Sequence, residues 1–117
     1  MGFGTMYKQG DILLVPFPFS DLTAVKRRPV LVVSNDDYNL NGDDIVICGI
    51  TSNPKVSGYS VTFGNTDLVE GQIPVSSRIK ADKLFAVDKS RVVKRIATVS
   101  DNVLDKTKKE LTRLFAL

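Results

Sequence analysis

Residues 29–34 read Pro29-Val30-Leu31-Val32-Val33-Ser34, an aliphatic and β-branched run between a proline and a polar turn. Such a run is typical of a buried strand. Similar runs occupy residues 11–17 before it and residues 44–51 after it. The segment between the second and third runs, residues 35–43, is dense in Asn, Asp and Gly, which favours a loop. The first half of the chain therefore predicts three strands in close succession.

The second half of the chain predicts shorter strands and one helix. Alternating residues at 59–63 indicate a half-buried strand that ends at Gly64. Further strands are expected near residues 73–76, 79–85 and 95–99, with a short helical turn at 88–93 between the last two.

From Ser100 the pattern changes to helical spacing. Ser100 can cap the helix. Asp101 and Asp105 lie near its start and four cations come later, which suits the helix dipole; these cations are Lys106, Lys108, Lys109 and Arg113. The residues expected on its packed face are Leu104, Thr107, Leu111, Leu114 and Phe115.

These elements predict one mainly β (α+β) domain over residues 1–117. Several short strands and one terminal helix favour a small, strongly bent antiparallel sheet, or open barrel, with a C-terminal α-helix. A chain of 117 residues fits one such domain. We expect residues 1–6 to be a flexible or expression-derived N-terminus, with Met6 as the natural start.

The composition excludes several kinds of chemistry. The chain has no histidine and a single cysteine, Cys48, so it cannot build a Ser-His-Asp triad, a thiolate zinc site or an internal disulfide. Cys48 lies in the apolar run 45–50 and is expected in the core. We therefore expect no metal, no cofactor and a cytoplasmic location. The longest uninterrupted aliphatic runs, such as residues 12–15, are too short to cross a bilayer, so no membrane span is expected.

Charge is unevenly distributed along the chain. Residues 1–77 hold 5 Lys or Arg against 8 Asp or Glu, whereas residues 78–117 hold 11 against 5. This basic excess is compatible with a polyanionic partner such as RNA or DNA. A solvated lysine-rich surface is the plainer alternative.

Two short motifs carry candidate chemistry. Lys26-Arg27-Arg28-Pro29 places three cations before a strand, and the proline holds Arg28 in extended geometry, where its guanidinium can clamp a phosphate. Thr51-Ser52-Asn53 follows the third strand, where hydroxyls can donate to a developing oxyanion. A solvated basic turn and an ordinary polar turn are the alternatives.

Together with the first strand, these motifs form a recognisable series: Gly10-Asp11-Ile12, Phe17 to Asp21, Arg27 to Ser34 and Ile50-Thr51-Ser52. The series resembles the MazF/PemK family of toxin–antitoxin ribonucleases over residues 7–115. The resemblance implies a homodimeric SH3-like barrel that cleaves single-stranded RNA without a metal and is inhibited by a cognate antitoxin. It implies catalytic roles for Arg28 and Thr51.

The PemK branch of the family also uses an Arg-x-Asp pair, which the resemblance places on Lys80 and Asp82. Lys80 departs from the family pattern and lacks the bidentate fork of arginine. The first loop, residues 20–25, departs too, since it lacks the Gly-Ser-Glu-Gln stretch of many relatives and so a catalytic glutamate.

The resemblance and the residue chemistry suggest a division of roles. RNA supplies its own nucleophile, the 2′-hydroxyl, so Asp82 is the candidate base and Arg28 the phosphoryl clamp and possible acid. Thr51 is a hydrogen-bond donor and Lys80 an auxiliary cation or acid. Asp82 has the alternative of a surface partner for Lys80 or Lys83. Tyr59 is a second candidate, beside Phe19, for stacking a base. The candidate RNA-binding residues are Lys26, Arg27, Phe19, Ser52, Asn53, Lys55 and Arg78.

Two other functions remain open at this point. CcdB proteins share the implied fold and inhibit DNA gyrase by protein contact, so fold alone does not decide activity. A non-catalytic RNA-binding or protein-binding module is the other. The Arg28 and Thr51 pair favours RNA cleavage.

Overall fold

The computed structural model describes residues 6–18, 25–55 and 58–117. Within these ranges seven strands form one antiparallel sheet that is covered by a C-terminal helix, which confirms the predicted fold class. Residues 1–5, Phe19 and most of the first loop lie outside the described residues. The strands are β1 (Asp11–Pro18), β2 (Val25–Val32), β3 (Asp44–Thr51), β4 (Ser60–Phe63), β5 (Leu68–Gly71), β6 (Ser77–Asp88) and β7 (Lys94–Val99). The α-helices are α1 (Asp36–Asn41) and α2 (Asp101–Phe115).

The strand order in the sheet is β4-β6-β3-β2-β1-β7-β5, which leaves β4 and β5 as the edges. Strands β1 and β2 form a hairpin in which Val15 faces Arg28, and β3 lies between β2 and β6. The centre of the sheet is therefore made from the three runs that the sequence predicts as its first strands.

Both faces of the bent sheet are buried in separate apolar clusters. Alternate residues of β1, β2 and β3 point to opposite faces, as strand geometry requires. One cluster packs under α2 and includes Ile12, Leu31, Cys48 and Ile50. The other contains Leu13, Val15, Val30, Val32, Ile45 and Ile47. The continuous aliphatic runs of the sequence follow from this double burial.

Helix α2 begins at the predicted cap. The Ser100 hydroxyl accepts the Val103 N–H, and Val103 and Thr107 are buried against the sheet. Leu111 is half-buried, but Phe115 is 55% exposed, so its predicted place on the packed face is wrong. The apolar stripe is covered in the first turns of the helix and open at its end.

Two local predictions are also wrong. Residues 36–41 form α1 rather than a loop, because the Asn35 side chain accepts the Tyr38 N–H and two aspartates occupy the first turn. Residues 73–76 are not a strand. The Asn65 side chain binds both backbone groups of Ile73, at 2.8 and 3.0 Å, and the neighbouring strand is β5 instead.

Gly71 ends edge strand β5 in a conformation that an L-residue side chain does not fit. Its φ is +80°, and an added Cβ would overlap the Ile96 carbonyl oxygen and lie 2.6 Å from the Ala97 Cα. We predict that Gly71→Ala lowers the free energy of unfolding by at least about 2 kcal/mol, from overpacking and positive-φ strain. Denaturant unfolding measures this loss.

The matched control is Gly42→Ala. Gly42 has φ −120°, and its added Cβ would meet nothing closer than 3.7 Å. Its unfolding free energy is expected to stay within about 0.5 kcal/mol of the parent. Equal stabilities for the two variants would contradict the close contact between β5 and β7.

Candidate functional site

Arg28 lies in β2, half-buried, directly before Pro29. It follows the alternation of Val30 and Val32, so it shares their face of the sheet. Lys26 and Arg27 are exposed on the same strand. Arg28 pairs with Val15 of β1, and the pairing of β2 with β3 begins two residues further on, at Val30. Arg28 therefore lies on the β1–β2 hairpin just before β2 joins β3.

Thr51 is the last residue of β3 and is half-buried. Its Oγ1 accepts the Asn53 N–H at 3.1 Å, and the Asn53 Oδ1 in turn accepts the Lys55 N–H at 2.9 Å. Because one lone pair of the Thr51 hydroxyl is occupied, its proton is directed away from the Asn53 amide. Thr51 is thereby set up as a hydrogen-bond donor.

A bulge in β6 brings two lysines to the same face. The β3–β6 pairing joins Cys48 with Leu84 but Gly49 with Lys80, so residues 81–83 of β6 have no partner on β3. The Lys83 Cβ would lie 3.4 Å from a Cβ built on Gly49, which shows that the bulge folds over this glycine. Lys80 and Lys83 therefore both lie next to β3.

These residues line an open pocket of about 300 Å³, which we call the cationic pocket. It contains Arg28, Thr51, Lys80 and Lys83, and the described residues that line it include no carboxylate. Three positive charges beside a hydroxyl donor suit a phosphodiester, since charge-assisted hydrogen bonds are the strongest available to it. The remaining lining residues are Pro29, Gly49, Ile50 and Phe85.

A second pocket of about 260 Å³ shares Arg28, Pro29 and Ile50 with the cationic pocket. We call it the apolar pocket, because its other lining residues are mainly aliphatic, with serines at two positions. These residues are Leu14, Ser52, Ile73, Pro74, Val75, Ser77 and Ile96. Arg28 and Pro29 thus border both the cationic pocket and the apolar pocket.

Asp82 is not among the residues that line the cationic pocket. It is exposed on the bulge, and its charge acts on the Cys48 thiol, which belongs to the cluster under α2. Burial and then Asp82 raise the pKa of Cys48 to about 12. Cys48 is therefore a neutral core residue, as the sequence predicts. Of the predicted pair, only Lys80 lines the cationic pocket with Thr51, and Asp82 does not.

Besides Lys26 and Arg27, which are exposed on β2, the candidate RNA-binding residues fall into three groups. Ser52, Asn53 and Lys55 are exposed in the turn after β3, and Ser52 lines the apolar pocket. Phe19 lies outside the described residues. Arg78 is only 5% exposed, and its guanidinium donates to protein oxygens rather than facing solvent. Its predicted contact with the RNA backbone is not favoured by this burial.

Tyr59, the other aromatic residue considered for base stacking, has the Arg113 guanidinium 4.1 Å from its ring centroid. One face of this ring is therefore covered by a cation. Phe85, by contrast, is 43% exposed and borders the cationic pocket. The sequence pattern does not predict Lys83 or Phe85 as site residues, although a glycine inside a buried strand is a known sign of a bulge.

The described ranges hold no group of three or more acidic, His or Cys side chains arranged to bind a metal ion. In the same ranges, neither helix has the length and apolar character needed to cross a membrane.

Comparison with known proteins gives a consistent result. Residues 8–115 match the family model described as PemK-like, MazF-like toxin of type II toxin–antitoxin system. No curated protein sequence matches the chain. Among solved structures, MazF from Deinococcus radiodurans is 25% identical with a TM-score of 0.78, covering 97% of this chain and 100% of the other.

Two solved complexes share the fold at lower identity. The MazE–MazF complex from Deinococcus radiodurans is 24% identical with a TM-score of 0.76, covering 97% of this chain and 99% of the other. A mycobacterial endoribonuclease in complex with its cognate antitoxin is 19% identical with a TM-score of 0.79, covering 95% of this chain and 96% of the other.

Proposed function

Because the chain belongs to the family of PemK-like, MazF-like toxins of type II toxin–antitoxin systems, we propose that it cleaves single-stranded RNA in the cationic pocket. The observation that carries this proposal is the convergence of Arg28, Thr51 and Lys80 from three neighbouring strands on one pocket. The family establishes the class of protein. The pocket supplies groups that match the charge of a phosphodiester in its transition state.

The proposed reaction is an internal transesterification. The RNA 2′-oxygen forms a bond to the adjacent phosphorus, the bond from phosphorus to the 5′-oxygen breaks, and a 2′,3′-cyclic phosphate and a 5′-hydroxyl result. Arg28 binds the phosphoryl oxygens, where charge accumulates, and Thr51 donates a hydrogen bond to them. Lys80 gives a proton to the departing 5′-oxygen.

Asp82 is the proposed acceptor of the 2′-hydroxyl proton. Asp82 is exposed and directly precedes Lys83 on the bulge, and it is not among the residues that line the cationic pocket. The base therefore meets the 2′-hydroxyl from the solvent side, while the cations hold the phosphate from the protein side. The tethered nucleophile makes a metal-bound hydroxide unnecessary.

We predict that the purified protein cleaves single-stranded RNA in excess EDTA and leaves 2′,3′-cyclic phosphate and 5′-hydroxyl ends. Replacing the ribose on the 5′ side of the scissile phosphate by deoxyribose should stop cleavage at that site while binding persists. Mass spectrometry of the fragments checks the ends. A 5′-phosphate product, cleavage of the deoxy-substituted site or full dependence on added Mg²⁺ would refute this chemistry.

We predict that Arg28→Ala lowers cleavage by about 100-fold or more, because it removes a charge that stabilises the transition state. Thr51→Ala should cost about tenfold or less, since it removes one neutral hydrogen bond. Single-turnover rates on a fluorescent RNA measure both.

The control for Arg28 is Arg91→Ala. Arg91 is exposed and follows the end of β6. Thr51 lies at one end of the β3–β6 ladder, and Arg91 lies beyond the other end. The Arg91→Ala variant loses the same charge as Arg28→Ala, and its rate of RNA cleavage is expected to stay within about twofold of the parent. A wild-type rate for Arg28→Ala, or equal losses for the two arginines, would remove Arg28 from the site.

We also propose that the protein acts in the cytoplasm as a homodimer and is neutralised by a cognate antitoxin. Two of the similar structures are complexes of a toxin with its antitoxin. An acidic segment with apolar side chains fits the paired pockets around Arg28, because it can place carboxylates on the cations and aliphatic groups in the apolar pocket.

We predict a mass near twice 12.9 kDa by light scattering at micromolar concentration. We also predict that a cognate antitoxin, encoded beside this protein, displaces RNA from it in a fluorescence competition assay, since both require Arg28. A monomeric mass would refute the dimer. Simultaneous binding of antitoxin and RNA would refute neutralisation at the pocket.

A further inference from the structure

Arg78 is a buried cation whose position calls for an explanation. It lies on β6 and is 5% exposed. Its Nε donates to the Asn53 carbonyl oxygen at 2.9 Å and its Nη1 donates to the Ser60 Oγ at 3.2 Å. Both partners are neutral, and no carboxylate pairs with Arg78 among the described ion pairs. A charge is withdrawn from water at a cost, without the Coulomb attraction that usually offsets it.

The two hydrogen bonds connect segments that are distant in sequence. Asn53 lies in the turn after β3, and Ser60 begins β4. In the sheet, Arg78 stands opposite Thr51 on one side and opposite Thr62 on the other. The Arg78 guanidinium therefore binds both ends of the connection between β3 and β4, at Asn53 and at Ser60. Thr51, the residue paired with Arg78 on β3, lies next to this contact.

Asn53 links Arg78 to the Thr51 hydroxyl. Its carbonyl accepts from Arg78, its N–H donates to the Thr51 Oγ1 at 3.1 Å, and its side chain accepts the Lys55 N–H. The first contact limits where the residue can lie, and the second decides which lone pair of Thr51 is occupied. If Asn53 shifts, the direction of the Thr51 proton is no longer specified.

We propose that Arg78 is a positioning residue for Thr51: by holding the Asn53 carbonyl it keeps the Thr51 hydroxyl directed as a donor toward the bound phosphodiester. This inference rests on the proposed function, since it assigns a catalytic consequence to the contact. Arginine is required because its planar fork reaches two oxygens at fixed separation, whereas the single ammonium of lysine cannot reproduce both bonds.

The test is a double-mutant cycle with Arg78→Lys and Thr51→Ala, measured as kcat and KM on single-stranded RNA. Arg78→Lys keeps the charge and is expected to lower kcat about tenfold, with KM within about twofold, because an oriented donor acts mainly in the transition state. In the Thr51→Ala background the same change should cost less than about twofold. Arg91→Lys, at an exposed site, is the control and should change neither constant.

A kcat of Arg78→Lys within about twofold of the parent would overturn the proposal, as would a loss that multiplies fully with that of Thr51→Ala. A loss seen entirely in KM would instead assign Arg78 to RNA binding and also overturn it. If Arg78→Lys does not fold, Ser60→Ala replaces it in the cycle. Ser60→Ala removes one of the two bonds and is held to the same criterion of non-additivity with Thr51→Ala.

Amide hydrogen exchange provides a readout that does not need activity. The Asn53 N–H is expected to exchange at least about tenfold faster in Arg78→Lys than in the parent, while the β1–β2 amides stay unchanged. An unaltered Asn53 rate would overturn the positioning contact even in an inactive protein. A parent protein that fails to cleave RNA, with Asn53 exchange still dependent on Arg78, would instead refute the proposed function.

Discussion

The slip in the pairing of β3 with β6 is the constraint on which the cationic pocket depends. Before the slip, Cys48 and Leu84 face the cluster under α2; after it, Gly49 and Lys80 face the opposite side. Three unpaired residues are an odd number, so the alternation of β6 is inverted at this point. Without the inversion, Lys80 would share the face of Leu84 and point into the core cluster.

The same slip explains which site residues can be inferred from sequence. Arg28 and Thr51 adjoin strands whose bounds follow from local patterns, and both line the pocket. Lys80 and Asp82, two residues apart, would share a face in a regular strand, but the bulge breaks that relation. Its register depends on contacts made across 30 or more residues, such as Gly49 with Lys80. Neither local propensity nor hydrophobic period reports such a contact.

The two wrong predictions of secondary structure, at residues 35–43 and 73–76, also have a cause that the local pattern does not report. The polar segment 35–43 contains a helix because one asparagine caps it, and caps and turns use the same residue types. Ile73 has the character of a strand residue, yet Asn65 takes its backbone groups. In both cases a single side-chain contact decides between structures that composition leaves equal.

The motifs that carry the family resemblance contain residues of two kinds: some make structural contacts within the sheet, and others line the cationic pocket. Asp11, in the Gly-Asp start of β1, is 1% exposed and accepts from the Lys8 N–H and the Thr98 hydroxyl, with the Arg95 guanidinium 3.8 Å away. It fastens β1 to β7 and lies among structural contacts. Arg28 and Thr51 lie instead where a substrate can reach them. The presence of a residue in one of these motifs therefore does not by itself indicate whether its role is structural or chemical.

The strand order has a consequence for protein synthesis. The cationic pocket takes Arg28 from β2 and its lysines from β6, on either side of β3, so its charges come from positions 28, 80 and 83 of the chain. A growing polypeptide that has released β1 to β3 from the ribosome still lacks both lysines and the bulge that places them. Since chains fold from the N-terminus during translation as these segments emerge, the pocket is completed late. The chain therefore carries the complete set of pocket charges only after more than two-thirds of its residues have been made.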